Sequence, residues 1–142
     1  MGNRAVITNK EQLVGIYLHW NGGRDSVEAF LKYCQIQGFR GFGVDDTYAF
    51  GRLVQIISNF IGGGLSVGIN SMGNLDCDNG DNGVYMVNDW NIIGRSYAPR
   101  TEQSGYDLNE VLDEINKCQP EEYQKRFSDW KREELEKCIT TK

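Results

Sequence analysis

Residues 20–24, WNGGR in one-letter code, combine the residue types that bind a phosphate and a base. They end a predicted strand and lead into a predicted helix. Glycines let backbone N–H groups approach an anion, and a helix N-terminus favours negative charge. Arg24 adds a fixed positive charge, and Trp20 could stack on a base. The same residues are also typical of a plain turn, so that alternative stays open.

A second segment, residues 90–100, contains two arginines and an asparagine. Arg95 and Arg100 could clamp a pyrophosphate through bidentate hydrogen bonds. A sheet edge with surface arginines is the open alternative. If the clamp exists, replacing both arginines by alanine should weaken binding and leave the fold intact. Phe60 and Asn70 could add a stacking face and an amide for a base edge, although a core position and a turn position are the favoured explanation.

Residue types for catalysis and metal binding are sparse. The single histidine, His19, has no acid or nucleophile at a recognisable spacing, which favours a local hydrogen bond over a catalytic role. The four cysteines are scattered and do not form a zinc pattern. The acidic loop 76–83 fails the EF-hand pattern because Gly80 occupies a liganding position, and a solvated loop is favoured instead. We expect no metal, no cofactor and no enzymatic activity.

Composition and charge limit the class of protein. The 142 residues carry a formal net charge of −5. A broad surface for duplex DNA or RNA is therefore not expected, whereas a few local arginines can still hold a small anion. No segment of the sequence approaches the roughly 20 apolar residues of a membrane span. Residues 1–10 do not resemble a signal peptide, so we expect a cytoplasmic protein whose cysteines are free thiols.

Hydrophobic periodicity predicts an α+β fold in a single domain over residues 1–142. Residues 1–100 form the sheet-rich part and residues 101–142 the helical part. The expected architecture is an antiparallel β-sheet with two helices packed on one face, followed by two longer C-terminal α-helices. The predicted strands are 4–7, 15–20, 65–70, 84–87 and 91–96, and the predicted helices are 26–37, 48–60, 108–118 and 120–138.

The last predicted helix carries an aromatic stripe formed by Tyr123, Phe127 and Trp130. Such a stripe is typical of a core or of a dimer seam. We expect it to be a dimer element, since a chain of this size need not expose it. A binding pocket at the subunit interface follows as a hypothesis.

Four strings together, MGNRAVIT, GIYLHWNGGRDSVEAFLKYC, YAFGRLVQIISNFIGG and DWNIIGRSY, resemble the phage-encoded Thoeris anti-defence sponge family, the first such family described. The resemblance spans nearly the whole chain. It implies a homodimer, in some members a hexamer of three dimers. It also implies binding of glycocyclic ADP-ribose, a signal that bacterial TIR-domain proteins make. The family sequesters this signal without degrading it, so the downstream effector stays inactive, and some members hold cyclic trinucleotides at a separate site.

Carried over to this chain, the resemblance implies a pocket for two phosphates, riboses and an adenine, in the cytoplasm of an infected bacterial host. Two alternatives stay open. One is an enzyme that cleaves a nucleotide immune signal, and the other is an inhibitor that binds an immune effector through its acidic C-terminal helices. The candidate ligand-binding residues are Trp20, Asn21, Arg24, Phe60, Asn70, Asn91, Arg95 and Arg100.

Overall fold

A computed structural model describes residues 2–63 and 66–140, the last three by their backbone only. It confirms the α+β class, and the predicted strands and helices agree with it to within a few residues. The third predicted strand began at residue 65, which lies outside the described residues. The strands are β1 (Ala5–Thr8), β2 (Val14–Leu18), β3 (Val67–Ser71), β4 (Val84–Asn88) and β5 (Asn91–Ser96), and the helices are α1 (Arg24–Ile36), α2 (Asp46–Ile61), α3 (Leu108–Lys117) and α4 (Glu121–Thr140).

The five strands form one sheet in the order β3-β2-β1-β4-β5. The pairings of β2 with β1 and β3, and of β4 with β5, are antiparallel. The central pair, β1 with β4, is parallel, which corrects the wholly antiparallel sheet expected from the sequence. Both packed helices lie between these two strands in the chain. Because no hairpin joins them, β4 can approach the free edge of β1 in either direction.

One face of the sheet carries α1 and α2, as predicted from the alternation of the strand residues. Ile7 and Ile16 are fully buried against this helical layer, together with Tyr85 of β4. The other face is covered near its centre by the loop after β3. A Cβ at Gly15 would come within 3.0 Å of the Met72 side chain there. The sheet is therefore covered on both faces at its centre, and its helical face carries the main core.

The helix α3 begins at the predicted residue. The carboxylate of Asp107 accepts hydrogen bonds from the backbone N–H groups of Asn109 and Glu110, at 3.1 and 3.3 Å. This helix has only 10 residues, so α4, with 20, is the one C-terminal helix longer than α1 and α2. The expectation of two longer C-terminal helices is wrong for α3, since Pro120 disfavours helical backbone at the residue before it. Within the described ranges, no helix is long and apolar enough to span a membrane.

The aromatic stripe of α4 belongs to the core of its own chain. The ring of Phe127 stacks on Tyr33 of α1 with 5.6 Å between centroids. Tyr123 packs edge-on against Phe39 at 5.5 Å, and its backbone oxygen accepts a hydrogen bond of 2.8 Å from Gln37 Nε2. Core packing is one of the two roles predicted for the stripe. Tyr123 and Phe127 are therefore not available as the dimer seam that we expected.

Candidate functional site

The junction between β2 and α1 contains the first candidate segment. Asn21 has a φ of +58°, and a Cβ on Gly22 would lie 2.5 Å from the backbone oxygen of Asn3. A side chain at residue 22 would therefore push the chain away from β1. Gly23 is the N-cap residue of α1 and offers no side chain to the first turn. Asp25 and Ser26, whose side chains are of the types that cap a helix, both lie inside α1.

The site residues of α1 and β5 meet at one carboxylate. The Nη1 atom of Arg24 lies 3.3 Å from Oε2 of Glu102, and Nη1 of Arg95 donates to the same oxygen. One residue further on, Oε1 of Gln103 accepts a hydrogen bond of 3.1 Å from the backbone N–H of Asp25. Arg24 and Arg95 thus converge on one anion position beside the α1 N-terminus. The anion position is occupied by Glu102 and the α1 N-terminus by Gln103. Both residues belong to the segment between β5 and α3, named here the 97–107 loop.

Arg95 is held on several sides by its own chain. Its Nε donates to the backbone oxygen of Val84 at 3.2 Å, and its Nη2 donates to that of Asn82 at 2.5 Å. The guanidinium carbon lies 3.8 Å from the centre of the Tyr85 ring. Only 12% of the Arg95 side chain is exposed, so it is not the surface arginine of the open alternative. We therefore expect its removal to disturb the fold, contrary to the expectation from the sequence.

Tyr85 and Tyr106 bring two phenols to the same region. Burial raises the pKa of Tyr85, against the opposing effect of the nearby Arg95. Burial, together with a hydrogen bond to Glu28, raises the pKa of Tyr106 to about 12. Both hydroxyl groups are therefore protonated at neutral pH. The Tyr85 hydroxyl uses its proton in a 2.7 Å hydrogen bond to the backbone oxygen of Gly22, which fixes the 20–24 segment against β4.

A cleft of about 280 Å³ lies between α1, β5 and α3. Arg24 and Asn91, two of the candidate residues, both line it, and Lys32 adds a second cation. Glu28 also lines the cleft and pairs with Arg24, with 2.6 Å between its Oε1 and the Nε atom. Ligand pockets commonly enclose about 300–1,000 Å³, so the cleft of a single chain lies just below that range.

Phe60 and Asn70 lie apart from this cleft. Phe60 of α2 packs edge-on against Phe30 of α1, with 5.6 Å between centroids, as the core alternative described. Asn70 lies on β3, at the opposite edge of the sheet from β5. Its Oδ1 accepts a hydrogen bond of 2.8 Å from the backbone N–H of Ser71. Neither residue contributes to the arginine site within one chain.

The remaining candidates lie at exposed positions or at the α1 terminus. Trp20 is 47% exposed and packs edge-on against His19 at 5.1 Å. Asn21 Nδ2 lies 3.5 Å from Oγ of Ser26, in the first turn of α1. Arg100 is exposed in the 97–107 loop, and within the described part of the chain it makes no hydrogen bond or ion pair. The structure therefore connects Arg24 with Arg95 and Asn91, and leaves Trp20 and Arg100 at the surface.

Sequence reasoning missed three residues of the 97–107 loop: Glu102, Gln103 and Tyr106. In the sequence, Glu102 and Gln103 are simply an acid and an amide in a loop that also contains proline and glycine. That pattern is typical of any solvated loop. Only the packing of the loop across β5 and α1 shows which cations the carboxylate meets.

The acidic loop after β3 is anchored more firmly than the expected solvated loop. Asp81 accepts hydrogen bonds from Nε of Arg4 at 2.8 Å and from its backbone N–H at 3.1 Å. These bonds lower the pKa of the Asp81 carboxyl. Asn79 is buried and bonds to both backbone groups of Gly83. Across residues 2–63 and 66–137, no group of three or more His, Cys, Asp or Glu side chains is placed to hold a metal ion.

Comparison with known proteins identifies no relative. No family model, no curated protein and no solved structure matches this chain. A function must therefore be argued from the arginine site, the cleft beside it and the resemblance of the four sequence strings.

Proposed function

We propose that the protein binds a TIR-produced cyclic ADP-ribose isomer and sequesters it without degrading it, which blocks activation of a Thoeris effector. The observation that carries the proposal is the convergence of Arg24 and Arg95 on one anion position beside the α1 N-terminus. Guanidinium groups form strong charge-assisted hydrogen bonds with phosphate oxygens, and the helix N-terminus adds a favourable field. A phosphate would take the position that the Glu102 carboxylate holds.

The adjacent cleft supplies groups for the rest of such a ligand. Lys32 adds a third cation near a second phosphate, and the exposed Asn91 offers an amide to ribose hydroxyls. Amides recognise hydroxyl positions by hydrogen-bond geometry, which favours one linkage isomer over another. Sequestration is proposed over cleavage because Glu28, the one carboxylate among the residues that line the cleft, is already paired with Arg24 and hydrogen-bonded to Tyr106. Tyr106, with a pKa of about 12, is poorly matched to general base catalysis at neutral pH.

Assembly belongs to the same proposal. Homodimerisation, or a hexamer with a separate site for cyclic trinucleotides, follows from the family resemblance, as does the cytoplasm of the infected host. The cleft volume of about 280 Å³ is consistent with a site that a second chain enlarges. The dimer seam must then lie elsewhere than the buried part of the α4 stripe.

Recovery of the ligand separates sequestration from its two rivals. A TIR-made cyclic ADP-ribose isomer is incubated with excess protein, which is then denatured by heat, and the released molecule is identified by mass spectrometry. Intact signal that again activates the effector supports the proposal. A converted product would identify an enzyme. Effector inhibition without uptake of the signal would identify a protein inhibitor.

Arg24→Gln tests the anion position itself. The variant keeps the reach of the side chain but removes its charge, and we expect the affinity for the cyclic signal to fall about 10-fold to 100-fold. Calorimetric titration measures this loss. Arg132→Gln is the matched control, because Arg132 pairs with Asp129 on the exposed face of α4. Equal affinities of the two variants would remove Arg24 from the site.

A further inference from the structure

We propose that the 97–107 loop is a built-in competitor for the anion site, and that a phosphate-bearing ligand enters by displacing it. The Glu102 carboxylate occupies the position between the two arginines, and the Gln103 amide occupies the α1 N-terminus. This inference rests on the proposed function, because it describes how the same site is regulated. It assigns the loop a role beyond joining β5 to α3.

The arginines do not depend on Glu102 for their positions. Arg95 remains tied to the backbone oxygens of Asn82 and Val84, and Arg24 remains paired with Glu28. When Glu102 leaves, both guanidinium groups are therefore still directed to the same region. The receiving site is preorganised, which lowers the cost of binding for the ligand that replaces the carboxylate.

The loop can be released at low cost. Its residues from 98 to 105 are exposed apart from Glu102, whose side chain is itself 37% exposed. Among the described residues, no backbone-to-backbone hydrogen bond joins residues 98–106 to the rest of the chain. The loop is thus held by the side chains of Glu102, Gln103 and Tyr106. Segments with few buried contacts and few backbone hydrogen bonds open most readily.

The competitor also selects the class of ligand. A carboxylate carries a single negative charge and two oxygens, whereas a pyrophosphate carries more charge and more acceptors. Arg24 and Arg95 together can form more charge-assisted hydrogen bonds with a pyrophosphate than with Glu102. An uncharged nucleoside or a simple carboxylate would form no more charge-assisted hydrogen bonds with the two arginines than Glu102 already forms. The expected class is therefore a molecule that carries a pyrophosphate.

Glu102→Gln tests the competition with inorganic pyrophosphate as the probe, titrated into the full chain by calorimetry. Removing the competing charge raises the population of the open site, so we expect the variant to bind pyrophosphate about tenfold more tightly than the unmodified protein. Asp113→Asn is the control, since it changes the net charge equally and breaks an ion pair with Lys131 away from the site. We expect it to leave the affinity unchanged.

Limited trypsin digestion of the unmodified protein gives a second measurement that does not depend on how well a variant folds. With saturating pyrophosphate, cleavage after Arg100, which is exposed in the loop, should become faster, because a released segment enters a protease more readily. Unchanged cleavage after Arg100, or an unaltered affinity in Glu102→Gln, would overturn the competitor role. Tight binding of the cyclic signal with no gain in Glu102→Gln would reject this inference alone. A gain for pyrophosphate without binding of the cyclic signal would reject only the proposed function.

Discussion

Replacing Arg95 with alanine is expected to lower the free energy of unfolding by about 2–4 kcal/mol. The guanidinium group bonds to the backbone oxygens of Val84 and Asn82, pairs with Glu102 and lies on the Tyr85 ring. Its removal leaves those acceptors without a cation in a region that is mostly buried. Urea unfolding followed by circular dichroism measures the loss.

The control for this prediction is Arg100→Ala. Arg100 is exposed, so the change should stay within about 0.5 kcal/mol of the unmodified protein. If Arg95→Ala is as stable as Arg100→Ala, the structural role of Arg95 is refuted. If Arg95→Ala is destabilised as expected, a binding loss in the double variant includes a loss of fold, because only Arg100 can be removed without disturbing the fold that holds the site.

A second large effect is expected for Gly83→Ala, at a cost of about 3 kcal/mol or more in the free energy of unfolding. Gly83 has a φ of +65°, which side chains rarely adopt. A Cβ there would lie within 3.0 Å of the backbone oxygens of Ser96 and Tyr97, where β5 leads into the 97–107 loop. The clash is with backbone, so it cannot be relieved by a rotamer change. The end of β5 must shift, and the anion site with it.

Gly51→Ala is the matched control for Gly83→Ala. Gly51 lies within α2, and a Cβ at that position meets nothing within 4 Å. Alanine favours the helix over glycine, so the same substitution should stabilise the protein by about 0.5–1 kcal/mol. Thermal unfolding of the two variants should therefore shift in opposite directions. A Gly83→Ala variant that melts with the unmodified protein would contradict the close approach of β5.

The elements of the fold could be predicted because their signals are local. The predicted start of α3 at residue 108 is confirmed and has a local cause, because Asp107 caps this helix. Asp45 caps α2 in the same way by accepting from the backbone N–H of Tyr48. The parallel pairing of β1 with β4 could not be predicted in the same way. It depends on how the chain returns after two helices and a third strand, which no short pattern records.

The candidate site could be predicted only in part, for the same reason. Arg24 could be predicted as a site residue because two glycines precede it and a predicted helix begins just after it. Arg95 stood out by its charge, but its burial against Tyr85 depends on the register of β5 with β4. Glu102 carried only the signal of an acid in a polar loop, which is typical of any solvated loop. Phe60 and Asn70 matched the chemistry of a ligand site, but the fold packs a partly buried Phe60 against the core and places Asn70 at the far edge of the sheet.

Calorimetric titration of a TIR-made cyclic ADP-ribose isomer into the folded protein tests whether this chain binds the signal. We expect saturable binding with a dissociation constant in the nanomolar range, which corresponds to about −12 kcal/mol. We also expect the affinity to fall in Arg24→Gln and to be kept in Arg132→Gln. A folded protein that binds none of the isomers at micromolar concentrations would refute the proposed function.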